Sequence, residues 1–108
     1  MTHDAVLNQL GLIPNEALLA QLENIQKNTR GYEKIIKHIM DLHEALKTCE
    51  SYVALSNSND YFKIKIDATS DISKTEAMEK INHFCGKFKV EIQKVQDKPT
   101  YYILGFDK

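Results

Sequence analysis

The stretch Tyr61-Phe62-Lys63-Ile64-Lys65-Ile66-Asp67 decides how this chain is read. Its alternation sends Phe62, Ile64 and Ile66 to one side of an extended strand and Lys63 and Lys65 to the other, the pattern of a strand with one covered and one wet face. An apolar strand face needs a second layer against it, so the flanking sequence must supply a helix and further strands.

Downstream it does. Ser73-Lys74-Thr75-Glu76 has the form of a capping box, with a serine oxygen to accept an early amide and a glutamate to reach back. Ala77, Met78, Ile81, Phe84 and Cys85 follow at helical spacing, and Gly86 offers a stop. Phe88-Lys89-Val90-Glu91-Ile92-Gln93 alternates again, Asp97 to Thr100 reads as a turn, and Tyr101 to Phe106 reads as a last strand in an antiparallel hairpin. Residues 61–108 are therefore predicted to form a compact β-α-β-β unit with a three-stranded mixed sheet. The last strand is apolar on both sides and makes a poor edge, which predicts it at the centre, with the first two strands parallel but not adjacent. The face away from the helix is expected to carry Tyr61, Lys63, Lys65, Lys87, Lys89, Glu91 and Gln93. The last strand adds either Tyr101 and Ile103, or Tyr102, Leu104 and Phe106.

Upstream, Ser56-Asn57-Ser58-Asn59-Asp60 is a run of polar turn formers and marks a boundary, with residues 1–56 as a helical arm. Pro14 or Asn15 can open a helix on which Leu18, Leu22 and Ile25 share a side. From Tyr32 to Leu46 a wide apolar stripe runs through Ile35, Ile36, Ile39, Met40, Leu42 and Leu46, and Cys49 and Val53 extend it. Two arrangements fit. A turn at Asn28-Thr29-Arg30-Gly31 gives a helical hairpin, while one long helix accepts Gly31 at about 1 kcal/mol. The seven-residue frame Leu18, Ile25, Tyr32, Ile39, Leu46, Val53 favours the long helix as a coiled coil, imperfectly because Thr29, His43 and Glu50 interrupt the intermediate series. Either way the class is α+β, and the stripe of Ile35, Ile36, Ile39, Leu42, Leu46, Cys49 and Val53 is expected to join copies of the chain, most simply as a homodimer.

With 108 residues, 43% of them hydrophobic and 27% charged, the chain has the balance of a folded domain with one core or two closely joined subdomains. No run approaches the roughly 20 apolar residues of a membrane span, and Met1-Thr2-His3-Asp4 lacks the opening of a secretory signal, so a cytoplasmic protein is expected. The net charge of -1 is uneven: residues 1–60 hold five basic and eight acidic side chains, residues 61–108 nine and seven. Cys49 and Cys85 have no CxxC partner and read as buried thiols, with a disulfide between arm and globule as the alternative.

Signatures of chemistry are sparse. His38, Asp41 and His43 do not converge on a helix as metal ligands must, and His83 and Cys85 diverge for the same reason. Asp67, Thr69, Ser70, Asp71 and Ser73 are as well suited to capping a loop as to holding a cation. No glycine-rich phosphate loop, nucleophile elbow or metalloprotease motif occurs. No catalytic, cofactor or metal residue is therefore assigned. The leading expectation is a non-enzymatic interaction or assembly protein, its arm joining subunits and its sheet presenting a binding surface, with another protein as one candidate partner. The alternative is a single-stranded nucleic-acid surface made of Tyr61, Lys63, Lys65, Lys87, Lys89 and Tyr101, although alternating lysines also serve simply to solubilise. A small enzyme with an unrecognised site is the third reading.

Overall fold

Gly31 resolves the choice between hairpin and long helix. In the computed structural model, which describes residues 1–107, its φ of 66° breaks the periodic run into α2 (Glu16–Asn28) and α3 (Tyr32–Lys47). Asn15 opens α2 by accepting the Leu18 amide at 2.8 Å. A short α1 (His3–Gln9), not anticipated above, is capped by Thr2 and places Val6 and Leu7 in the core.

The stripe does not continue as helix to Val53. Helix α3 stops at Lys47, and Glu50 takes a left-handed φ of 54°. The chain leaves that turn as β1 (Ser51–Leu55), in which Ser51, Val53 and Leu55 are buried. The error has a physical source: Leu46, Cys49 and Val53 are spaced like a helix face, and no glycine or proline marks the turn between them. The sheet consequently has four strands where three were expected.

The remaining elements are β2 (Phe62–Ile66), α4 (Asp71–Phe88), β3 (Val90–Lys94) and β4 (Thr100–Phe106). Strand order is β1-β2-β4-β3, and every bonded pair is antiparallel, so the sheet is not mixed. The last strand does lie between β2 and β3, which run parallel on either side of it without touching. Helix α4 is longer at both ends than expected. Its cap is Ser70, whose side chain accepts the Ser73 amide at 3.1 Å, and it passes through Gly86 to end at Lys89, φ 54°.

The helices cover one face of the sheet. A single core cluster joins Leu22 and Ile25 of α2, Ile39 and Leu46 of α3, Phe62 and Ile64 of β2, Ile81 of α4 and Ile103 of β4. Ser56 to Asp60, read above as a boundary, is the hairpin connection between β1 and β2. All seven residues expected to join copies, Ile35, Ile36, Ile39, Leu42, Leu46, Cys49 and Val53, are at most 5% exposed within one chain. The single chain thus already covers the face on which the expectation of a second copy rested. The α2–α3 turn docks on β4, where the Arg30 backbone bridges to Gly105 and Arg30 O accepts the Phe106 amide at 2.6 Å. Both thiols are free, Cys49 buried and Cys85 half-buried, with burial pushing the Cys85 thiol up. Among the described residues no helix is long and apolar enough to cross a membrane.

Candidate functional site

The sheet face turned away from the helices is shaped by cross-strand register. Lys63 of β2 stands between Ala54 of β1 and Tyr102 of β4, and Lys65 between Tyr52 and Thr100. Because Phe62 pairs with Ile103 and Ile64 with Tyr101, strand alternation turns Tyr101 toward the helices and leaves Tyr102 on the open side.

Two loops bound this face and make it concave. At one end Ser56 is almost fully buried, and its Oγ accepts the amides of Ser58 and Asn59 at 3.4 Å each, so the polar run folds into a tight loop. Helix α2 holds the same loop from behind: Gln21 Nε2 donates to Ser56 O at 2.8 Å and Asn28 Nδ2 to Asp60 O at 3.3 Å. At the other end the β3–β4 turn brings Lys98 and Pro99 alongside. The result is a trough of ≈ 470 Å³ with Lys63, Lys65, Thr100 and Tyr102 along β2 and β4.

Tyr102 links floor and rim. Its hydroxyl lies 3.0 Å from Ser58 Oγ and its ring 6.0 Å from that of Tyr61, tilted by 37°. The Ser58 hydrogen bond, with Asn59 and Ser56 behind it and the Lys98 charge nearby, holds the phenol below its usual pKa despite some burial. A pinned, half-buried ring beside a trough is suited to stacking on a flat ligand.

The charge is one-sided. Lys63, Lys65 and Lys98 line the trough without any carboxylate among its walls, and among the described residues the ion pairs are Arg30–Glu91 and Lys47–Glu44 only. Three lysine ammonium groups without a carboxylate partner among the described residues could hold a polyanion, since each brings charge and hydrogen-bond donors.

The six residues expected to form a nucleic-acid surface are not all brought together. Lys63 and Lys65 share the trough, and Tyr61 reaches it through its contact with Tyr102. Lys87 belongs to the last turn of α4, where its Nζ lies 5.4 Å from the centroid of the Phe88 ring. Lys89 is the left-handed cap of that helix, and Tyr101 faces the helical layer. The misplacement of Lys87 and Lys89 follows from reading Gly86 as the helix end. Sequence reasoning missed Lys98 and the Ser56–Ser58 rim as site residues, and Tyr102 appeared only as one of two alternatives. The signal for Tyr102 lay in β4's register, which a single sequence does not fix.

The histidines have other employment. His38 stacks on Phe88 at 3.7 Å between centroids, in an apolar groove of ≈ 340 Å³ between α3 and α4. His43 is buried and its Nδ1 accepts the Val53 amide at 3.0 Å. No protein-family model, curated protein or solved structure matches the chain.

Proposed function

We propose that this chain is a non-enzymatic binding protein that holds a single-stranded nucleic acid on the open face of its sheet. The observation that carries the reading is the convergence of Lys63, Lys65 and Lys98 with the half-buried ring of Tyr102 in one trough that has no carboxylate among its described walls. Lysines answer the phosphates, and a tyrosine face stacks on a base whatever its identity, which suits binding with little sequence preference. The apolar stripe of α3 is covered inside the chain, so it no longer argues for assembly of copies over ligand binding.

The test is a titration of labelled single-stranded DNA and RNA across salt concentration. Affinity is expected to fall linearly on logarithmic axes, with a slope near -0.7 for each phosphate contacted. Lys63→Ala with Lys65→Ala should weaken binding, whereas Lys27→Ala on the exposed side of α2 should not. No binding at low salt, or equal loss in both variants, would exclude the trough.

A further inference from the structure

The lysines of the trough do not end at the β3–β4 turn. Lys98 and Pro99 also line a second groove of ≈ 390 Å³, which opens on the helical side of the same sheet end and contains Lys74, Lys94, Asp97 and Tyr101. Strand alternation explains the pairing: consecutive tyrosines in β4 point to opposite faces, so each groove receives one. Together the two grooves carry five lysines, Lys63, Lys65, Lys74, Lys94 and Lys98, against the single carboxylate of Asp97. On a chain whose net charge is -1, that is a strong local concentration of positive charge.

We infer that a single strand lying in the trough continues over the β3–β4 turn into the second groove, so that its path wraps the end of the sheet. The inference rests on the nucleic-acid reading above and adds a route and a selectivity to it. Lys98 and Pro99, common to both grooves, are where the strand turns. Lys94 Nζ already donates to Lys98 O at 3.1 Å and Val95 O at 3.4 Å, which holds the ammonium at the turn. A lysine has three donors, so one remains for a phosphate. The wrap also selects the ligand. A flexible single strand can reverse direction around the end of a small sheet, whereas a duplex with a persistence length of about 150 base pairs cannot.

The experiment uses the full chain, labelled homopolymeric DNA of graded length, and two double variants of solvent-accessible lysines, Lys63→Ala/Lys65→Ala and Lys74→Ala/Lys94→Ala. Unchanged thermal melting of each variant establishes that it is folded. With long oligonucleotides, each double variant is expected to reduce the steepness of the salt dependence by about 1.4, two contacts at about 0.7 each. Oligonucleotides too short to leave the trough should respond to the first pair alone. A duplex of the same length should bind at least about tenfold more weakly than the single strand at equal salt. Long strands indifferent to Lys74→Ala/Lys94→Ala but weakened by Lys63→Ala/Lys65→Ala would overturn the wrapped path and leave the trough standing. Equal affinity for duplex would overturn the selectivity, and indifference to both pairs would remove the nucleic-acid reading itself.

Discussion

His43 Nδ1 accepts the outward-pointing amide of Val53 at 3.0 Å, so a helix side chain occupies a hydrogen-bonding position on the free edge of β1. An edge amide that would otherwise be buried without a partner is satisfied, and the strand is tied to α3. The bond requires an unprotonated Nδ1.

That requirement sets a pH dependence. Burial, then the Lys47 charge, pull the His43 pKa below its ordinary value, against smaller upward effects from Glu44 and the Gln9 backbone. Above about pH 6.5 His43 is neutral in both the folded and the unfolded chain, and its full contribution is present. As pH falls below that, the unfolded chain takes up the proton first, so stability declines until pH has passed the lower folded value. Denaturant melts between about pH 8 and pH 5 should show this decline. In His43→Ala it should be reduced, with an added cost of about 1–3 kcal/mol for the orphaned amide.

Gly105→Ala should be severely destabilising. Gly105 has φ 133°, a region that side-chain-bearing residues avoid, and a Cβ there would stand 2.7 Å from Arg30 O. Strain alone costs about 1–3 kcal/mol, and the rigid backbone of the α2–α3 turn has little room to retreat. Urea midpoints of wild type and variant measure the loss.

Tyr32→Phe should cost nothing, or stabilise by up to about 1 kcal/mol. The ring is buried against Phe62, 6.3 Å away and nearly parallel, but its hydroxyl makes no hydrogen bond among the described residues. Burial, helped by Glu33, pushes its pKa up to about 12, the mark of a phenol kept neutral among apolar neighbours. Thermal melts of the pair decide it, and a large loss would mean that the hydroxyl has a partner after all.

Ile39→Ala should cost about 2–5 kcal/mol through the cavity it leaves in the core. Because this side chain is covered within the chain, the wild-type melting midpoint should not depend on protein concentration. Melts at two widely separated concentrations check both statements, and a midpoint rising with concentration would restore a role for the stripe between copies.

Tyr102 should separate stacking from hydrogen bonding. Tyr102→Ala is expected to weaken single-strand binding by about 1–3 kcal/mol, the usual worth of one stacked base. Tyr102→Phe keeps the ring while losing the 3.0 Å contact with Ser58, and should retain most of the affinity. Anisotropy titrations at fixed salt compare the two.

Legibility in the sequence followed the strength of local patterns. The alternation of Phe62 to Ile66 and the periodicity of Tyr32 to Leu46 identified β2 and α3, and the two-sided apolar character of Tyr101 to Phe106 placed β4 in the centre. Strand β1 was hidden because its buried positions, Val53 among them, continue a helical spacing from α3 while the turn at Glu50 uses no glycine. The candidate site was half visible. Lys63 and Lys65 announce themselves by alternation, but Lys98 joins them only when β4 pairs with β2 and carries the β3–β4 turn alongside. Such proximity depends on long-range pairing, which local residue order does not encode.

The central position of β4 bears on how a new chain matures. Until β4 has left the ribosome, β2 and β3 lack the strand that bridges them in the finished sheet. At about 5–20 residues per second, β4 is synthesised about a second or two after β3. Until β4 pairs with both neighbours, the facing edges of β2 and β3 stand open.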